Sequence, residues 1–213
     1  MLKSIPKELL ISLRLTIVLA ALTGLIYPFV VTGIAQALFS NQANGSLVIQ
    51  NGQVIGSTLI GQQFTDPKYF HGRISSTVDP ASLAAKPYAA ENSAGSNYGP
   101  SNQALHDRVA SDVRRIQQED GSTAPVPVDL VTSDFSGLDP NISEAGALYQ
   151  VNRVATARGL DPVKVRALVE KDLQGRILWV FGEPHLNVLQ LNLDLDGGKA
   201  FLSLSSPLTG EGR

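Results

Sequence analysis

From Leu15 to Phe39 the chain carries no Asp, Glu, Lys, Arg or His. As a helix, this stretch of about 25 residues rises ~37 Å, more than the ~30 Å hydrocarbon core of a bilayer. It predicts one membrane-spanning helix that crosses with some tilt. A span without ionisable side chains offers no intramembrane ion site or proton relay, and a single helix cannot enclose a pore. Function must therefore reside in the polar residues after Phe39, or in the span packed against helices of other chains.

Charge orients the span. Lys3, Lys7 and Arg14 precede it with only Glu8 against them, and no Lys or Arg follows until Lys68. Positive flanks stay in the cytoplasm. The expectation is a cytoplasmic segment 1–14, a span 15–39 and an extracytoplasmic domain 40–213, single-pass in the plasma (inner) membrane. Ala35-Gln36-Ala37 also fits a signal-peptidase site, and cutting there would release an exported soluble protein. The apolar run exceeds the ~7–15 residues of a signal sequence, which favours a retained anchor. Both readings place the main domain outside. Within the span, Gly24 and Gly33 allow close approach of a neighbouring helix, and Pro28 removes a helix donor and predicts a distortion. Gly24, Tyr27 and Pro28 are the candidate residues for packing on a partner subunit, although Gly and Pro are also ordinary in membrane helices.

The remaining ~170 residues suffice for one domain with a core, or for two small lobes over 40–118 and 125–213. Asn41 to Gly45 is a turn signal. Leu47–Gln50 and Gln53–Thr58 flank Asn51-Gly52, the favoured two-residue hairpin loop. Ser75 to Asn102 is long, rich in Ser, Ala, Pro, Asn and Gly, and aperiodic. Loops of that length tend to be functional or disordered. Three amphipathic helices follow. The first starts after a Ser101 cap with Leu105, Val109, Val113 and Ile116 on one face. The second starts after Ser143 with Leu148, Val151, Val154 and Ala155, and stops at Gly159. The third opens with Asp161-Pro162, carries Val165, Leu168 and Val169, and ends at Gly175. Arg176 to Phe181 reads as a strand. Val188 to Leu195 fits either a strand, by alternation, or a short helix capped by Asn187. The fold class is α+β: one N-terminal transmembrane helix, then a mixed soluble domain with an early β-hairpin and about three amphipathic helices.

Chemistry is sparse. Without cysteine there are no disulfides, thiolate metal sites or Cys nucleophile. A formal net charge of −2 gives no footprint for nucleic acid. His71, His106 and His185 lie far apart, without metal-ligand spacing. His71, beside Phe70, reads as a structural hydrogen-bonding residue. No nucleophile elbow or phosphate-binding loop is present, and no catalytic or metal-ligating residue is assigned.

Ordered blocks carry a resemblance. They are Gln42-Ala43-Asn44-Gly45-Ser46, Leu59-Ile60-Gly61-Gln62, Tyr69-Phe70-His71-Gly72-Arg73, and Gly95-Ser96-Asn97 with Ser101-Asn102. Further on come Val126-Pro127-Val128-Asp129-Leu130-Val131-Thr132, Ser136-Gly137-Leu138-Asp139, Arg153-Val154-Ala155 with Ala157-Arg158, and Asn187-Val188-Leu189 with Leu191-Asn192-Leu193. In this order, behind one N-terminal span, they resemble the C subunit of the Kdp potassium-transporting P-type ATPase, from about Tyr27 to about Leu195. Ile74, Ala94, Tyr98 and Asn141 depart from the usual family residues.

The resemblance implies a non-catalytic accessory subunit of a high-affinity, ATP-driven potassium import complex. Its partners would be a channel-like potassium-translocating subunit, a P-type ATP-hydrolysing subunit and the lipid bilayer. It would support assembly and act as a catalytic chaperone that raises the ATP affinity of the hydrolysing subunit. By family analogy Ser93, Gly95, Ser96 and Asn97 would contact nucleotide, with no covalently bound cofactor. The charge bias places that loop across the bilayer from cytoplasmic ATP, so ATP is expected only through the partner and any effect on its affinity is expected to be indirect. The competing readings are a membrane-anchored exported enzyme and an exported binding protein, both unrelated to transport.

Overall fold

Helix α1 (Ile5–Ala21), a π-helical turn (Leu22–Ile26) and α2 (Tyr27–Leu38) run on without a break. In this computed structural model residues 5–197 and 201–202 are described; Lys3 and the chain beyond Leu202 lie outside them. The helical segment Pro6–Leu38, 33 residues, is long and apolar enough to cross a bilayer, and none of it is buried within the chain. Pro28 accounts for the π turn. Its ring lacks a donor and crowds the carbonyl four residues back. The helix widens just ahead of it, and the Tyr27 N–H donates to the Leu22 carbonyl, five residues back. The distortion expected at Pro28 takes this form. At the exit, the short α3 (Ser40–Ala43) follows Phe39, and the side-chain amides of Gln36 and Asn44 pair through two bonds of 3.3 and 3.1 Å. These elements belong to one unit; Leu47–Leu202 form a second.

The second unit begins with the expected hairpin. Strands β1 (Leu47–Gln50) and β2 (Gln53–Ser57) pair antiparallel, with Gln50 opposite Gln53. Asn51 and Gly52 both take positive φ, 53° and 79°, as a type I′ turn requires. The later segment β5 (Phe201–Leu202) adds to the other edge of β1. The long loop 75–102 follows, with little regular structure beyond one 3₁₀ turn at Ala90–Asn92.

The three helices form where their caps and stripes place them. Helix α4 (Gln103–Asp120) is capped by Asn102 rather than the expected Ser101, because the Asn102 side chain accepts from the Ala104 N–H at 2.9 Å. A short α5 (Val128–Val131) and strand β3 (Asn141–Ser143) lead into α6 (Glu144–Arg158), which Ser143 caps and a left-handed Gly159 ends. Helix α7 (Pro162–Asp172) starts at the Asp161 cap and stops three residues before Gly175, the expected terminus. Strand β4 (His185–Asn187) pairs antiparallel with β3.

Near the C-terminal end one open reading is resolved and one expectation changes. The segment Val188–Leu195 is helix α8, capped by Asn187, whose Oδ1 accepts from the Gln190 N–H. Its alternation arises because the helix is buried on opposite sides: Leu189 and Leu193 pack with Val48, while Val188 and Leu191 enter the larger core. Arg176 to Phe181 is not a strand in a sheet. The chain leaves antiparallel contact at Gln174 and His185, then folds on itself with Ile177 opposite Phe181 and with Leu178 and Trp179 at positive φ. Its β-rich apolar composition forms a tip that, among the described residues, pairs only with itself.

The larger core gathers Phe70, Ile116, Leu130, Ile142, Val151, Val154, Val165, Leu186 and Leu191 around α6. It draws on residues from both sides of the 121–127 connection between α4 and α5.

Candidate functional site

The Tyr69-Phe70-His71 segment has no sheet partner among the described residues; the Tyr69 N–H donates to the Asp66 carbonyl, and side chains bond the other backbone groups around the buried Phe70. Asn192 on α8 accepts from the Phe70 N–H at 2.8 Å and donates to the Phe70 carbonyl at 2.9 Å. Gln150 on α6 does the same for His71, at 2.8 and 3.1 Å. Arg153, one turn further along α6, donates to the carbonyls of Pro67 and Tyr69 and to Gln150 Oε1. Its Nε meets Asp120 Oδ1 at 2.8 Å in a pair shielded from solvent. Burial pushes the Asp120 carboxyl upward, and the adjacent Arg153 charge opposes that shift. Arg158 bonds the Lys68 carbonyl and Asp196, and its guanidinium lies 5.0 Å from the Tyr69 ring centroid.

This scaffold floors a cleft of about 220 Å³ lined by His71, Arg73, Tyr88, Arg115 and Glu119 among others. Arg73 pairs with Asp139 at 3.0 Å. Tyr88 donates to the Arg73 carbonyl at 2.8 Å, and burial pushes its phenol well above the ordinary range. Its ring fits between two glycines. A Cβ on Gly61 would stand 2.5 Å from the ring, and one on Gly72 would stand 2.4 Å from the hydroxyl. His71 Nε2 lies 3.2 Å from the Asp66 carbonyl, and burial, reinforced by the nearby Arg153 charge, holds the ring below its ordinary pKa. The sequence reading of His71 as a structural hydrogen-bonding residue agrees with this setting.

The Ser93–Asn97 loop lies elsewhere, against residues 133–138. Ala94 N–H and Ser93 Oγ both donate to the Ser136 carbonyl at 3.0 Å. Gly95 approaches so closely that a Cβ would stand 3.1 Å from the Phe135 backbone. Asp134 holds the facing turn through the N–H groups of Ser136 and Gly137 and the Ser136 hydroxyl. Gly95, Ser96 and Asn97 then border a groove of about 200 Å³ with Arg108 and Asp134, while Ser93 is held by its bond to the facing turn. Arg108 already meets Asp112 and the Val131 carbonyl. The groove thus offers one shared cation beside one carboxylate. It is also smaller than the ~300–1,000 Å³ of typical ligand sites. On the spanning helix, Gly24 has open space around an added Cβ, and Tyr27 and Pro28 are exposed.

The family model for the c chain of K+-transporting ATPases, KdpC, matches residues 9–197. The chain belongs to the KdpC family. A potassium-transporting ATPase KdpC subunit of Rhodopseudomonas palustris (strain BisB5) is 53% identical over 195 residues, 89% of this chain and 96% of that one. The corresponding subunit of Sorangium cellulosum (strain So ce56) is 53% identical over 189 residues, 88% and 96% of the two chains. That of Koribacter versatilis (strain Ellin345) is 47% identical over 191 residues, 90% and 95%.

In this KdpC-family chain the blocks that carry the resemblance have architectural jobs. Gly61 and Gly72 make room for Tyr88, Arg153 and Arg158 hold the backbone of residues 67–69, and Asn187 and Asn192 cap α8 and fix Phe70. Sequence reasoning missed Gln150, Asn192 and Tyr88. The available signal was a polar amide inside an apolar stripe: Gln150 precedes Val151, and Asn192 stands between Leu191 and Leu193. Such residues stay buried only when hydrogen-bonded.

Proposed function

We propose that this chain is the single-pass accessory subunit of an ATP-driven potassium import complex, joining a channel-like subunit to a P-type ATP-hydrolysing subunit without catalysing a step itself. The observation that carries the reading is the spanning helix. It buries nothing within its own chain, and Gly24 presents a surface open to close approach. Such a face suits packing against the spans of a larger partner. The relatives' names supply the partner complex.

The charge bias favours a cytoplasmic N-terminus and an extracytoplasmic domain. In that arrangement the Ser93–Asn97 groove and ATP lie on opposite sides of the bilayer. The groove's size and its single shared arginine also suit a triphosphate poorly. Any rise in the ATP affinity of the hydrolysing subunit is therefore conformational, with a coupling of about 1–3 kcal/mol.

Co-purification tests the assembly role. Gly24→Leu adds bulk where this chain has only open space, so the chain folds normally but recovers less of the two large subunits. Full recovery with Gly24→Leu and with Tyr27→Ala removes the packing argument. Topology is read separately. The chain has no cysteine, so Thr123→Cys, at an exposed position of the connection after α4, is a clean reporter for an impermeant thiol reagent on intact cells. Labelling only after lysis reverses the orientation and restores direct nucleotide contact.

A further inference from the structure

The self-paired tip at Ile177–Phe181 exposes five consecutive large apolar side chains, between 63% and 91% accessible, with Trp179 the most exposed. Leu178 and Trp179 hold left-handed backbone, φ 52° and 60°, a conformation that costs a non-glycine residue about 1–2 kcal/mol. The domain gains no core from that cost, since none of the five is buried. Exposed apolar patches of this kind mark surfaces that meet a protein or a membrane.

Four features select the membrane. The tip carries a tryptophan, the residue enriched at bilayer interfaces. Between Arg176 and Glu183 no side chain is charged, and only the indole can hydrogen-bond, whereas protein interfaces carry polar groups at their rims. The backbone is largely satisfied from within: the N–H groups of Ile177, Trp179, Val180 and Phe181 donate to carbonyls of Phe181, Arg176, Ile177 and Ile177, which is what an apolar medium demands. Finally, the chain is itself anchored, and the tether from Phe39 to Ser46 spans at most ~29 Å.

We propose that the Ile177–Gly182 loop is a second membrane contact, inserting Trp179 and its apolar neighbours into the headgroup–acyl boundary of the leaflet on the domain's own side. The Arg176–Glu183 ion pair, 2.6 Å across the base of the loop, stays at headgroup level. The inference rests on retention of the span as an anchor and not on which side the domain occupies.

Trp179 is the single tryptophan of the chain, so its fluorescence reports the tip directly. The full chain is reconstituted in phosphatidylethanolamine–phosphatidylglycerol vesicles containing lipids brominated near the top of the acyl chains. Insertion gives blue-shifted emission, loss of most of the signal to brominated lipid, and protection from acrylamide. A Leu178→Asp/Val180→Asp variant, which keeps the tryptophan, lowers the inserted-to-free ratio by about tenfold or more and restores acrylamide access, with an unchanged circular dichroism spectrum. Water-like emission without bromine quenching in the unmodified chain overturns the proposal. So does a blue shift without bromine quenching in the complex with the other subunits, which would mean that protein covers the tip.

Discussion

Replacing Asn192 by Leu isolates the device that holds the Tyr69-Phe70-His71 backbone. The two side chains share a branched skeleton of four heavy atoms, leucine being the bulkier, so the core keeps its outline with a small repacking. The Phe70 N–H and carbonyl, bonded to Asn192 at 2.8 and 2.9 Å in a fully buried setting, lose their partners. Each orphaned buried group costs about 1–3 kcal/mol, and the extra apolar burial of leucine returns about 1 kcal/mol. The net loss is about 1–5 kcal/mol, a large share of the ~5–15 kcal/mol stability of a folded domain. Asn192→Asp keeps the acceptor but sets a carboxylate against the Phe70 carbonyl, and loses at least as much. Lys164→Ala, on an exposed position of α7, stays within about 0.5 kcal/mol. The assay is urea unfolding of the full chain in detergent by circular dichroism, with hydrogen exchange at the Phe70 amide as the local reading. If Asn192→Leu lies within about 0.5 kcal/mol of the unmodified chain, the side-chain pairing of that backbone is not what holds the segment, and the reasoning fails.

Arg153→Met strands Asp120 in a site shielded from solvent and should cost about 3–5 kcal/mol, much of which Asp120→Leu in the same chain recovers; denaturant midpoints of the single and double variants decide this. Gly137→Ala forces a side chain into left-handed backbone at φ 67°, with its Cβ 2.4 Å from Thr77 Cγ2 and 2.9 Å from the Ala94 carbonyl, and should cost at least about 2 kcal/mol, again read from unfolding. His71 supplies a pH dependence. Its folded pKa lies below the ordinary 6.5, so the unfolded chain binds the proton more readily. The stability this contributes is complete above 6.5 and is lost as pH falls through the folded value. His71→Asn leaves the Gln150 bonds, which use the backbone, and should flatten that decline; an unchanged slope refutes the assignment.

Much of the architecture was legible because its causes are local. The twenty-five uncharged residues of the span, Asn51-Gly52 at the hairpin, Ser143 and Asp161 as caps and Gly159 as a helix stop each act within one turn of chain. The α6 and α7 stripes needed only helical periodicity. Where two local readings competed, the sequence was silent. At α4 both Ser101 and Asn102 are good caps, and only backbone geometry chose between them. At Val188–Leu195 alternation suggested a strand, because burial on two sides of a helix imitates the period of a sheet.

The candidate site was less legible because its geometry is made at long range. Ser93, Gly95, Ser96 and Asn97 stand out in the sequence, but nothing local indicated that they face residues 133–138, or that Asp134 would stand beside the only arginine bordering the described groove. Asn192 reaches Phe70 across more than a hundred residues, and Gln150 reaches His71 from another helix. By itself the sequence determined an α+β chain behind one long apolar N-terminal helix, its main helix boundaries to within a few residues, and its family. Tertiary structure alone decided which polar side chains replace a missing sheet partner at residues 69–71, and that Ile177–Phe181, composed like a core strand, is left outside. Propensity describes how a segment prefers to bend, whereas burial depends on what the rest of the chain brings to meet it, and no described element is brought to that tip.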